Sequence, residues 1–250
     1  MDRTLVIGDV HGCLDELRDL LKVVSFVQGS DRLVFVGDLM DRGPEPAACV
    51  KFVRELGAEC VESNHDEKFP RFRQHEANRA VSGKKNPMRL SAERQAQHAL
   101  LSDDDVAWLK GLPRVLHINP SMVVVHAGLE PAFKVADQSD AVIRVRYVDD
   151  SGVMKGYSEG SLEQPANTIL WAERWKGPES VIYGHAVHSL GNPRVDRFDG
   201  GACYGIDTGC VYGGHLSAAV VVPGRDVEFV QVRARLAYYD LGHRRSTDHA

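Results

Sequence analysis

The chain has 250 residues, 43% hydrophobic and 26% charged, a balance that fits one globular domain and excludes a disordered or fibrous chain. Its net charge of −5 and the absence of a basic tail argue against a stable nucleic-acid partner. No apolar run reaches the ~18 residues of a membrane span, Met1-Asp2-Arg3-Thr4 has no signal-peptide organisation, and the five cysteines form no CxxC pair, so no membrane partner and a reduced, cytoplasmic setting are expected.

Leu5-Val6-Ile7, closed by Gly8, predicts a buried strand. Leu14, Leu17, Leu21 and Val24 then recur at three- and four-residue steps, which predicts a helix face. Residues 33–36, closed by Gly37, predict a second strand; 45–56 a helix entered through Pro44; and 58–62 a third strand. A β-α-β-α-β order implies parallel strands joined by right-handed crossovers. Residues 67–111 break this rhythm with a charged, helical insertion in which Ser102 and Asp105 have the spacing of a capping box. Its plain role is to cover the sheet, and its functional role is to shape access to a site. Its cations, among them Lys68, Arg71, Arg73 and Arg79, read as a solvated helix face or as a reader of a polyanion. From Pro113 strands dominate: a hairpin of 115–118 and 122–125 about Asn119-Pro120-Ser121, then 181–183, 202–206, 216–222 and 227–233. The expected fold is α/β (α+β), a two-sheet mixed β-sandwich flanked by helices. It is one domain over 1–241, with the insertion at about 67–111 and a polar tail at 242–250.

Three polar motifs follow the three leading strands: Gly8-Asp9-Val10-His11-Gly12, Gly37-Asp38-Leu39-Met40-Asp41-Arg42-Gly43 and Ser63-Asn64-His65-Asp66. Open α/β sheets bind ligands at those strand ends. His126 and His185 follow later. Carboxylates, an amide oxygen and imidazoles suit divalent cations. The spacing assigns Asp9, His11 and Asp38 to one cation, and Asp38, Asn64, His126 and His185 to another, with Asp38 bridging. Taken singly, Asp9 reads as a helix N-cap, Asn64 as a turn residue and His126 as a satisfied histidine. Their joint arrival at one sheet edge points to a two-metal phosphoesterase. The Arg42 guanidinium matches two phosphate oxygens, against the plainer reading of a surface ion pair. Arg174 is a second candidate clamp, between Trp171 and Trp175, which read as core or as a base platform. Tyr212 reads as a hairpin tyrosine, and Gly8, Gly12, Gly37 and Gly43 as tight-turn positions with positive φ.

The motifs resemble those of the calcineurin-like metallophosphoesterases of the phosphoprotein phosphatase superfamily, over nearly the whole chain from Asp9 to Gly214. Trp171 to Trp175, Tyr183-Gly184-His185 and the segment Asp207 to Gly214 are similar to the diadenosine tetraphosphatase-like branch. That resemblance implies the two-sheet sandwich, the same ligand set, and two divalent ions: manganese first, with iron, zinc or cobalt as alternatives. Ser63 stands where the family has glycine, and Asp41 is present where symmetrical diadenosine tetraphosphatases typically lack an aspartate. The expected mechanism is direct attack on phosphorus by a metal-bridging hydroxide. His65 acts as general acid, Asp41 orients its ring and keeps it protonated, and Arg42, Asn64 and Arg174 hold the substrate. The leading substrate expectation is a phosphoserine, phosphothreonine or phosphotyrosine monoester in a protein. The alternative is a dinucleoside polyphosphate, diadenosine tetraphosphate being cut symmetrically to two ADP. A non-catalytic scaffold is set aside because the ligands, His65 and Arg42 are all present.

Overall fold

A computed structural model describes residues 3–155 and 164–240, and the predicted tail at 242–250 lies outside the described residues. Strand β1 (Thr4–Ile7) pairs in parallel with β2 (Arg32–Phe35), and β2 in parallel with β3 (Glu59–Cys60). The crossovers are α1 (Leu14–Val23), which buries Leu14, Leu17, Leu20 and Leu21, and α2 (Pro46–Glu55). Pro46, rather than Pro44, occupies the first turn of α2, where the missing N–H breaks no helical bond.

The insertion forms α3 (Lys68–Ser82), α4 (Ala92–Ala99) and α5 (Asp103–Lys110). The capping box is complete: Ser102 Oγ accepts from the Asp105 N–H at 3.1 Å and Asp105 Oδ2 from the Ser102 N–H at 3.0 Å. Beyond it, β4 (Val115–Asn119) and β5 (Met122–Val125) make the expected antiparallel hairpin. A short ribbon of β6 (Tyr147–Val148) and β7 (Ile169–Leu170) leads into the one-turn α6 (Trp171–Arg174). The remaining strands are β8 (Ser180–Tyr183), β9 (Arg194–Phe198), β10 (Gly201–Gly205), β11 (His215–Val221) and β12 (Glu228–Arg233).

Two mixed five-stranded sheets result, ordered β12-β11-β1-β2-β3 and β4-β5-β8-β10-β9. Alternating strand residues point to opposite faces, and this builds the layers. Val6, Val34, Val36 and Ala219 of the first sheet meet Val124 and Ile182 of the second in one core cluster. Their neighbours Leu5, Ile7, Leu33 and Phe35 pack with α1 and α2 on the other face. Val123, Val125, Val181 and Tyr183 pack outward with Trp171, Val142 and Ile143. Strand β9, absent from the sequence expectation, alternates between half-buried and exposed residues. It is an edge strand with solvent on one side, so it carries no apolar run.

Candidate metal centre

The ends of β1, β2, β5 and β8, and the turn after β3, converge. Asp9 and His11 follow β1, Asp38 follows β2, Asn64 lies past β3, His126 follows β5 and His185 follows β8. Two groups of buried side chains bring ligand atoms within 4.8 Å of one another: His11, Asp38 and His65, and Asp38, His126 and His185. They share Asp38. His11 Nε2 lies 3.2 Å from Asp38 Oδ2, and His126 Nε2 lies 3.4 Å from Oδ1, so the two carboxylate oxygens face different imidazoles. Asp9 stands beside these groups and accepts the His185 N–H at 3.0 Å.

The backbone is strained where it delivers these groups. His11, Asp38, Asp41, Arg42 and His185 all have positive φ, between 43° and 71°. Side chains rarely adopt that region, and its cost is ~1–3 kcal/mol per residue, borne by the surrounding structure. Gly12 and Gly37 take positive φ as expected, whereas Gly8 and Gly43 do not. Their need is space: a Cβ on Gly43 would sit 1.9 Å from the His11 carbonyl oxygen. Gly184 has the same reason, since a Cβ there would lie 2.0 Å from Asp9 Oδ1.

The donor set fits divalent cations. His11 Nδ1 donates to the Met40 carbonyl and His126 Nδ1 to the Val36 carbonyl, both at 2.8 Å. Each ring therefore turns a lone pair on Nε2 inward, as outer-shell bonds do for metal-ligating histidines. His126 Nε2 then faces Asn64 Oδ1 at 2.9 Å, two acceptors whose repulsion a shared cation relieves. His185 Nε2 is buried without a hydrogen-bond partner among the described residues. Burial, then the charges of Asp207 and Asp38, pushes the Asp9 carboxyl well above the usual range. Burial would also raise Asp38, but His126, His65 and His11 hold it well below that range. Buried acidic groups beside imidazole nitrogens are an arrangement that positive ions stabilise.

Beside the metal groups lies a proton-handling chain. His65 Nδ1 is 2.6 Å from Asp41 Oδ2, and Arg94 Nε donates to Asp41 Oδ1 at 3.0 Å. Arg42 donates one guanidinium nitrogen to His11 Nε2 at 2.6 Å and the other to His65 Nε2 at 2.8 Å. Burial raises and His65 and Arg94 lower Asp41, which ends well below the carboxylate range. The expectation that Asp41 keeps His65 protonated is corrected. Burial and the Arg42 charge outweigh Asp38 and Asp41, and the ring is held well below its ordinary pKa. Asp41 orients the ring but does not by itself charge it.

Several placements differ from the sequence expectation. Arg174 pairs with Asp150 at 3.5 Å and donates to the Asp150 carbonyl, so it does not join the cluster. Trp171 and Trp175 are core, not platforms. Tyr212 lies beneath the Arg42 guanidinium, 5.7 Å from its carbon. Ser63 needs no glycine-like φ, and its Oγ accepts the Asp66 N–H at 3.1 Å. Asp66 in turn accepts the N–H groups of Leu39 and Met40, bracing the loop after Asp38. Asp207, Arg94 and Arg146 were not assigned from sequence. Asp207 had a signal, a strand end followed by glycine, but Arg94 was one arginine in a charged insert. Arg146, which donates to the His185 carbonyl at 3.2 Å, had none.

The profile of the calcineurin-like phosphoesterase family matches residues 2–222. The chain belongs to this family of dinuclear metal-dependent hydrolases. It is 29% identical to a symmetrical bis(5'-nucleosyl)-tetraphosphatase of Methylococcus capsulatus, over 85% of this chain and 89% of the relative. It is 28% identical to a protein of the same name in Psychromonas ingrahamii, over 86% of this chain and 91% of the relative. Among solved structures, one assigned as a diadenosine tetraphosphatase aligns with a TM-score of 0.72 and 31% identity, covering 92% of this chain and 93% of its own. No helix among the described residues is long and apolar enough to cross a membrane.

Proposed function

We propose that the protein hydrolyses dinucleoside polyphosphates, cutting diadenosine tetraphosphate symmetrically to two ADP. The observation that carries this is near-full-length similarity to proteins of that name, coupled to two buried His/Asp groups that share Asp38. It reverses the substrate order expected from sequence, in which the phosphoprotein came first. Asp9, His11 and Asp38 would hold one divalent cation, and Asp38, Asn64, His126 and His185 the other, with manganese the first candidate. Bound there, the two ions supply Lewis acidity and a nucleophile from water near neutral pH.

The protein's own groups do the rest. Arg42 offers two donors to the phosphoryl oxygens, and its cation–π contact with Tyr212 fixes the fork. An entering phosphate adds negative charge beside His65, which favours its protonated form, and Asp41 aims the ring through Nδ1. His65 Nε2 then gives its proton to the leaving oxygen.

The Asp41–His65 pair favours a second reading, phosphomonoester hydrolysis. An alkoxide leaving group needs a proton as it departs, whereas a phosphate leaving group is already stable as an anion. Metal-free protein reconstituted with manganese, assayed side by side on diadenosine tetraphosphate and on phosphopeptides, separates the two. ADP as the dominant product is expected. Phosphate release from peptides with little nucleotide cleavage would replace the first reading with the second.

A further inference from the structure

We infer that a cavity on the general-acid side of the metal centre is the subsite for the nucleoside half that departs, with Tyr239 as the platform for its base. This rests on the dinucleotide reading above. The cavity measures about 490 Å³ and is walled by Asp41 and Arg42 at the metal centre, by residues at and within α4, and by residues 237–240. That volume lies in the range of small-ligand pockets.

Position gives the first argument. Asp41 and Arg42 both touch His65, at 2.6 Å and 2.8 Å, and both line the cavity. His65 gives its proton from Nε2, the nitrogen that Arg42 bonds, so the group that accepts it leaves on the side where Arg42 lines the cavity.

Chemistry gives the second. At the metal end stand two guanidinium groups, Arg42 and Arg94, suited to the phosphates of a nucleoside diphosphate. Tyr239 and Gln97 also line the cavity. Tyr239 packs edge-on against Tyr212 with centroids 6.3 Å apart, and Tyr212 underlies Arg42, so the ring is held in place relative to the phosphate end. Gln97 Oε1 is enclosed without a hydrogen-bond partner among the described residues; a rotation of the amide would present it as an acceptor to the exocyclic amine of a base. Glu93 and Asp240 also line the cavity. Their charge disfavours further phosphates there and leaves ribose hydroxyls as fitting donors. Cations together with an aromatic ring and a neutral amide in one cavity match a nucleoside diphosphate. They do not match a peptide, whose departing serine or threonine needs neither.

The test is calorimetric titration of the manganese-loaded protein with ADP and, separately, with inorganic phosphate. The wild type is expected to bind ADP more tightly than phosphate. Tyr239→Leu is expected to lower the ADP-to-phosphate affinity ratio about tenfold, the size of one lost base stack, and Tyr239→Phe to preserve it. An unchanged ratio in Tyr239→Leu, or a wild type that prefers phosphate, overturns the assignment. Should Tyr239→Leu not fold, Gln97→Leu on the surface helix probes the same cavity: a ratio lowered about fivefold supports the assignment and an unchanged ratio overturns it. The two proposals fail separately. ADP binding with this pattern but no cleavage of diadenosine tetraphosphate would sink the dinucleotide reading and keep the cavity. Cleavage with a wild-type KM in Tyr239→Leu would sink the cavity and keep the reading.

Discussion

The metal edge and the helical insertion carry their charges in opposite ways. At the edge, Asp9, His11, Asp38, Asn64, His126 and His185 are all buried, and three of them, His11, Asp38 and His185, sit at positive φ. In the insertion, α4 buries no residue and the cations answer to acidic neighbours: Arg71 to Glu67 at 2.9 Å, Arg73 to Asp103 at 2.6 Å and Arg79 to Glu76 at 3.4 Å. Exposed pairs of this kind contribute ~0–1 kcal/mol each. For these three arginines the positive charge of the insertion is carried in ion pairs at the helix surface. What the insertion does supply to the site is Arg94, bonded to an aspartate that is 1% exposed. Function there is marked by one bond to a buried group, not by abundance of charge.

The largest expected effect tests the edge. Asp38→Asn removes the carboxylate shared by both groups. Turnover should fall at least about a thousandfold, because a catalytic cation contributes several kcal/mol to transition-state stabilisation. Calorimetric metal titration should show both sites weakened in a protein with a native circular dichroism spectrum. Wild-type turnover would end the two-cation account.

Next comes His65→Asn. It should slow phenyl phosphate about a hundredfold or more and p-nitrophenyl phosphate much less, with two equivalents of metal still bound. Equal losses on both substrates would mean that His65 donates no proton to the leaving group.

Arg94→Ala sharpens the contrast between the regions. Loss of a charge-assisted bond worth ~1.5–3 kcal/mol should cost about tenfold to a hundredfold on phenyl phosphate. The loss should be non-additive with Asp41→Asn, and Arg94→Lys should restore part of it. Additive losses would show that the insertion does not act through Asp41.

Two smaller effects concern the insertion as a support. Ser102→Ala breaks the capping box of α5 and should lower unfolding stability by ~1 kcal/mol, leaving the turnover per folded molecule unchanged. Asp105 is also pH-dependent. Burial raises its carboxyl, but bonds from Ser102 and Arg54 bring it below the ordinary carboxylate range. A depressed folded pKa contributes stability that is present above the unfolded value and lost as pH falls through the folded one. Denaturant titrations should therefore show Asp105→Asn costing stability near neutrality and less below about pH 4. A cost that does not change with pH would remove the ionic part of this support.

Much of the molecule was legible from its sequence. Two-residue alternation and short apolar runs located nine of the strands. Motifs at strand ends marked the six candidate ligands, because a strand end is a local feature and a rigid sheet carries it to a known edge. Ser102 and Asp105 were readable for the same reason, three residues apart on one turn. The rest depended on neighbours distant in the chain. Strand β9 lacks an apolar run because it pairs on one side only. Arg174 meets Asp150, while Arg94 crosses 53 residues to Asp41. The direction in which the His65 pKa moves follows from a balance between burial and three charged groups, Arg42, Asp38 and Asp41, which the loop after β2 brings to a ring lying beyond β3. Sequence by itself determined the elements and the donor types, since both follow from local geometry and side-chain chemistry. Tertiary structure alone decided which arginine reaches the site, which tyrosine lies under it and which way a histidine titrates, because those depend on distances and desolvation that exist only once the chain has closed on itself.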